Sequence, residues 1–77
     1  MSLYQHKLQV LVILSDNLRI SQPQLVPTAT IAGKMDIQLP KLQQILKTMD
    51  GMGIIQTDSD LQYSLITRKG VNYLGEQ

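Results

Sequence analysis

The chain has 77 residues, 43% of them hydrophobic and 17% charged, with 7 Lys plus Arg against 6 Asp plus Glu. That is the make-up of one soluble globular domain with a small core, and a formal charge of +1 provides no general basic field to draw the protein onto nucleic acid. The absence of cysteine excludes disulfides and thiolate metal sites. The longest apolar run, Val10 to Leu14, is too short to cross a membrane and has no small-residue cleavage site behind it, so a cytoplasmic location is expected.

In chain order, Tyr4, Leu8, Leu11, Val12 and Leu18 fall at helical spacing, and Val10, Ile13 and Leu14 widen the stripe. One helix is expected from Tyr4 to Leu18. Residues 19 to 27 read as a connector, because two prolines, Pro23 and Pro27, interrupt any regular pattern. A short helix follows, with Thr28 or Thr30 as N-cap and Ile31, Ala32 and Met35 on one face. Asp36 and Ile37 make a turn. The next helix begins near Leu39, tolerates Pro40 in its first turn, and places Leu42, Ile45, Leu46 and Met49 on one side at i, i+3, i+4, i+7.

Gly51 or Gly53 ends that helix by taking a left-handed conformation. Two strands are then expected, Ile54 to Thr57 and Leu61 to Ile66, joined through "DSD", whose side chains bond their own backbone in tight turns. Thr67 caps a last short helix with Val71 and Leu74 inward, despite Gly70. No repeat, low-complexity run or second domain is visible, so residues 1 to 77 form one domain.

This order of elements is the layout of a winged helix-turn-helix. The stretch "IAGKMDIQLPKLQQILKTMDGMGII", residues 31 to 55, resembles the helix-turn-helix of MarR-like and related bacterial and archaeal winged-helix regulators. "YSLITRKGVNYL" resembles the segment that closes the wing in the same families. The fold class expected is α+β, mostly α: a three-helix core, a two-stranded β-hairpin wing and a short C-terminal helix. The resemblance implies that the helix from Leu39 is a recognition helix for double-stranded DNA. It also departs from many relatives, lacking both a Ser or Thr at that helix's start and an arginine at Gln44.

An enzyme is not expected. The single histidine, His6, reads as a solvated side chain on the opening turn, and general acid–base or nucleophilic chemistry needs a positioned partner that the sequence does not offer. No carboxylate or histidine cluster has metal spacing, and "DGMG" lacks the lysine and the length of a phosphate loop. Asp58 and Asp60 suit a solvated turn better than a calcium loop. No cofactor, membrane contact or small-molecule ligand is expected.

DNA is the partner the residues suit best. With Leu42, Ile45, Leu46 and Met49 inward, Pro40, Gln44 and Lys47 turn outward, with Lys41, Gln43 and Thr48 beside them. Gln can pair with an adenine edge and Lys with guanine acceptors or phosphate. The expected DNA-binding set is therefore Lys41, Gln43, Gln44 and Lys47 in the groove, with Lys34, Arg68 and Lys69 on the backbone. Asp58 and Asp60 would repel phosphate and argue against a minor-groove contact by the wing.

The alternative is a protein-interaction module without DNA binding. Val10 and Ile13 lie off the stripe of Leu8, Leu11 and Val12, so one side of the first helix either stays exposed as a contact site or is covered by the last helix. Val10, Ile13 and Tyr73 are accordingly the expected interface of a homodimer, which would present paired recognition helices to two half-sites.

Overall fold

The computed structural model describes residues 2–18 and 25–76. Along the chain run α1 (Leu3–Asn17), β1 (Val26–Pro27), α2 (Thr28–Met35), α3 (Leu39–Gly51), β2 (Ile55–Thr57), β3 (Tyr63–Ile66) and α4 (Arg68–Gly75). The architecture is an α+β winged helix in which the helices pack together and the strands form a small antiparallel sheet of order β1-β3-β2. The sheet has one strand more than the expected hairpin. Of the expected connector, Val26 and Pro27 pair with Ser64 and Tyr63 of β3, while residues 19–24 lie outside the described region. Pro27 is admissible because β1 is an edge strand, where a missing donor costs no ladder bond.

Local chemistry explains each boundary. Ser2 and Gln5 cap α1 reciprocally, the Ser2 hydroxyl accepting from the Gln5 amide while the Gln5 side chain accepts from the Ser2 amide. α2 starts at Thr28 on Pro27 without a side-chain cap, so neither expected threonine fills that role. The buried Thr28 hydroxyl instead donates to the Leu61 carbonyl at 2.6 Å, tying the start of α2 to the wing. Asp36 takes the left-handed conformation, φ 53°, between α2 and α3. Gln38 precedes α3 without capping it, and Pro40 sits in the first turn, as the sequence leads one to expect. Of the two candidate glycines, Gly53 is the left-handed one at φ 78°, while Gly51 completes α3.

The core consists of Val10, Leu11 and Leu14 of α1, Ile31 of α2, Leu42, Ile45, Leu46 and Met49 of α3, and Val26, Ile54, Ile55 and Ile66 around the sheet. The inward side of α3 matches the expected set residue for residue. The phase of α1 does not: His6, Val10, Leu11 and Leu14 are buried, whereas Tyr4, Val12 and Leu18 are exposed. The apolar residues of α1 run almost all the way round the helix, so periodicity alone leaves its rotation undetermined. α4 turns Gly70, Tyr73 and Leu74 toward the core and leaves Val71 exposed. Gly70 packs so closely that a Cβ there would overlap the Ile54 carbonyl oxygen.

Val10 is 0% exposed and has no surface to offer a second chain, which corrects its assignment to a dimer interface. The residue is covered within the monomer, the other possibility that the sequence had left open. Ile13 and Tyr73 are half-buried against the same core.

Candidate nucleic-acid interface

Four apolar side chains fix the rotation of α3, and that rotation decides what it shows to solvent. Pro40, Lys41, Gln44, Lys47 and Thr48 are all exposed, and from Leu39 to Met49 the helix carries two lysines and no carboxylate. Its first turn holds no acidic side chain, although the exposed Asp36 shares a surface groove with Gln38, Leu39 and Pro40 at its start and offsets part of the positive end of the helix dipole. Hydrogen-bonding groups and two lysine charges thus share one surface.

Three further features frame this surface. On one flank a cleft of about 270 Å³ is lined by Leu3 and His6 of α1 and by Lys41, Gln44, Ile45 and Thr48 of α3. The Thr48 hydroxyl donates to the Gln44 carbonyl at 3.1 Å, within the helix. On the other flank the half-buried Gln43 faces a groove of about 320 Å³, whose walls include Thr28, Leu39, Leu61, Gln62 and Tyr63. The wing closes above it: the Asp58 carboxylate accepts from the Gln62 and Tyr63 amides at 2.7 and 2.9 Å. The Tyr63 amide foremost holds that carboxyl below its ordinary range. Asp58 is thus the structural keystone of the turn as well as an acidic group near its tip.

The expected backbone residues are dispersed. Lys34 borders grooves beside α1, with Ile13 in both, rather than the cleft or groove flanking the exposed side of α3. Lys69 lies over Gly53, with Cδ 3.6 Å from the position a Cβ would take, at the C-terminal end of α3. Arg68 is exposed beside it at the start of α4. The structure therefore brings Lys41, Gln43, Gln44 and Lys47 onto α3 and leaves the other three cations around its periphery.

The sequence reading missed Leu3, His6, Gln62 and Tyr63 as neighbours of this helix. His6 is the largest departure, being 9% exposed rather than solvated, with burial and then Lys41 holding its ring below the ordinary value of 6.5. One signal was present in sequence: His6 stands four residues before Val10 and eight before Leu14, at the spacing of a buried helical face. Nothing local marks Gln62 or Tyr63, which reach α3 only through the hairpin.

Among the described residues no group of three or more His, Cys, Asp or Glu is placed to hold a metal, and no helix is long and apolar enough to cross a membrane.

No protein-family model matches the chain, and no curated protein matches it in sequence. Solved structures do. A Lactococcus lactis ZitR variant with a cysteine replaced by serine superposes with a TM-score of 0.71 at 19% identity, over 94% of this chain and 48% of that one. A doubly substituted Lactococcus lactis ZitR in apo form gives 0.74 at 22% identity, over 96% of this chain and 55% of that one. The chain thus spans about half the length of the proteins it matches, and at this identity the likeness establishes the fold.

Proposed function

We propose that the chain binds double-stranded DNA by laying α3 in the major groove, and that it serves as a small transcriptional regulator of the MarR-like kind. The observation that carries this reading is the uncovered outer face of α3, with Gln44 and Lys47 at its centre, Lys41 beside them and no carboxylate before Asp50. In helix-turn-helix proteins the second helix of the unit enters the groove with its N-terminal residues against base edges. Gln44 supplies base readout and Lys41 and Lys47 supply guanine or phosphate contacts, with Gln43 at the flank toward the wing. Arg68, Lys69 and Lys34 act at longer range through their charge.

The reading includes a homodimer, with Ile13 and Tyr73 at its margin, so that two copies of α3 meet two half-sites about one DNA turn apart. It includes no catalytic step and places the protein in the cytoplasm. Selection of bound duplexes from a random pool tests the proposal: a recurring motif is expected, whereas a pool that stays random through repeated rounds would contradict it.

A second reading is favoured by one specific feature. A groove of about 330 Å³ is lined by Leu8, Gln9, Val12, Ile13, Lys34 and Met35, and the buried Gln9 Oε1 has no hydrogen-bond partner among the described residues. The apolar part of that lining suits a protein partner. A well-folded chain that binds no duplex at low salt would favour this assembly reading.

A further inference from the structure

The cleft between α1 and α3 has the make-up of an anion seat. Its polar lining comes from His6, Lys41, Gln44 and Thr48, and Leu3 and Ile45 supply the apolar remainder. Gln44 and Lys41 belong to the exposed face of α3, so the cleft opens onto the surface assigned above to DNA. His6 is about nine-tenths buried, at 9% exposure. Its ring makes no side-chain hydrogen bond among the described residues, although its backbone amide closes the first turn of α1 onto the Ser2 carbonyl at 3.0 Å. The buried side-chain atoms left unpaired among the described residues are Gln9 Oε1 and Ser64 Oγ; the His6 ring nitrogens are not among them, so the ring meets the open cleft through a solvent-accessible polar edge.

The charges around His6 are of one sign. Lys41 faces it from α3. Lys7, next along α1, is directed instead to Met52, with Nζ 4.0 Å from Sδ. Among the described residues no carboxylate lines the cleft, and no charged side chain from α2, α4 or the wing does. Lys41 therefore disfavours a second positive charge on His6, while an anion between the two groups would reverse that preference.

We propose that this cleft seats a phosphate of the DNA backbone between the His6 ring and the Lys41 ammonium, and that His6 takes one proton from solvent as the phosphate enters. The inference rests on the reading of α3 as a DNA-binding helix and gives that interface a clamp from α1. A phosphate carries the charge that matches Lys41 and protonated His6, and its oxygens are acceptors for both. Binding then depends on pH. Affinity rises as pH falls through the range where the bound form is protonated and the free form is not, by about tenfold for each unit that binding raises the pKa of the ring.

His6 is the only histidine, so its ring proton resonances report the site without assignment by mutation. The experiment is an NMR pH titration of the intact chain alone, with a mixed-sequence duplex, and with inorganic phosphate at a matched concentration of phosphate groups. Duplex affinity is measured in parallel at about pH 5.5 and about pH 7.5, a span in which histidine is the side chain that ordinarily titrates. The expected result is an upward displacement of the His6 titration by duplex, little displacement by inorganic phosphate, and tighter duplex binding at the lower pH. His6→Gln should flatten the pH profile, and Lys41→Ala should weaken binding at both values. Duplex binding with an unmoved His6 titration would overturn the clamp and leave the DNA reading standing. An equal displacement by inorganic phosphate would assign the cleft to the free anion and overturn the backbone assignment. No duplex binding at either pH would remove the DNA reading and the clamp together.

Discussion

Two residues show how small side chains set the packing. Gly70 sits within α4, where alanine would ordinarily gain about 1 kcal/mol of helix propensity. Here a Cβ would meet the Ile54 carbonyl and the Ile66 side chain, and backbone cannot yield as a flexible side chain can. Gly70→Ala is therefore expected to destabilise the fold by about 1–3 kcal/mol, the cost typical of overpacking, and a urea melt reads the sign directly. Ser64 is the converse case. It is 0% exposed at the centre of the sheet, and its hydroxyl has no partner among the described residues. Removing an unsatisfied buried hydroxyl should help, so Ser64→Ala is expected to raise stability by about 1 kcal/mol; a lowered urea midpoint would show that the hydroxyl has a partner.

His6 adds a pH dependence to the free protein. Burial first, and Lys41 second, hold the folded ring below 6.5, so the unfolded chain takes up its proton before the folded one does. Stability contributed by the neutral ring is complete above about pH 6.5 and declines as pH falls from there toward the folded value. The urea midpoint is expected to be lower at about pH 5.5 than at about pH 7.5, and His6→Gln should remove most of the difference. Equal midpoints in the native sequence would show that the ring titrates normally.

At the scale of elements, legibility followed amphipathicity. α3 could be read with its boundaries and inward face because four apolar residues at strict spacing are interrupted by polar ones, and because Pro40 and Gly53 mark its start and the turn beyond it. α1 was legible as a helix but not in its rotation, since Val10, Val12, Ile13 and Leu14 are apolar in nearly every direction. Its buried face is chosen by what α3, α4 and the sheet present to it, which is tertiary information. β1 is two residues long and exists only because β3 offers a free edge, so no local pattern announces it. The same distinction holds for the candidate site: the residues carried by α3 were legible, while His6, Gln62 and Tyr63 reach that helix through the packing of other elements.

The two kinds of polar residue on α3 should differ in what their removal does. Gln44→Ala should reduce discrimination between preferred and mismatched duplexes by about 1–3 kcal/mol while leaving non-specific binding nearly unchanged. Lys47→Ala should weaken binding to all duplexes and lower the salt slope by about one unit if the lysine meets phosphate. Equal slopes for the lysine variant and the native chain would remove that phosphate contact.

For the whole molecule, the fold places one helix outward and leaves its polar face uncovered, with a cleft from α1 on one side and the groove of the wing on the other. With a net charge of only +1, the proposed affinity for DNA would have to come from the arrangement of a few cations near α3 rather than from a general field. This sets the central claim apart from non-specific attraction. The most direct test is a fluorescence-anisotropy titration of the native chain with a mixed-sequence duplex at about 50 mM and about 200 mM salt. The account predicts saturable binding at the lower salt and a steep loss at the higher, with a slope reflecting the few phosphates that Lys41, Lys47 and their neighbours can reach. No binding at the lower salt by a chain that is folded under the same conditions would contradict it.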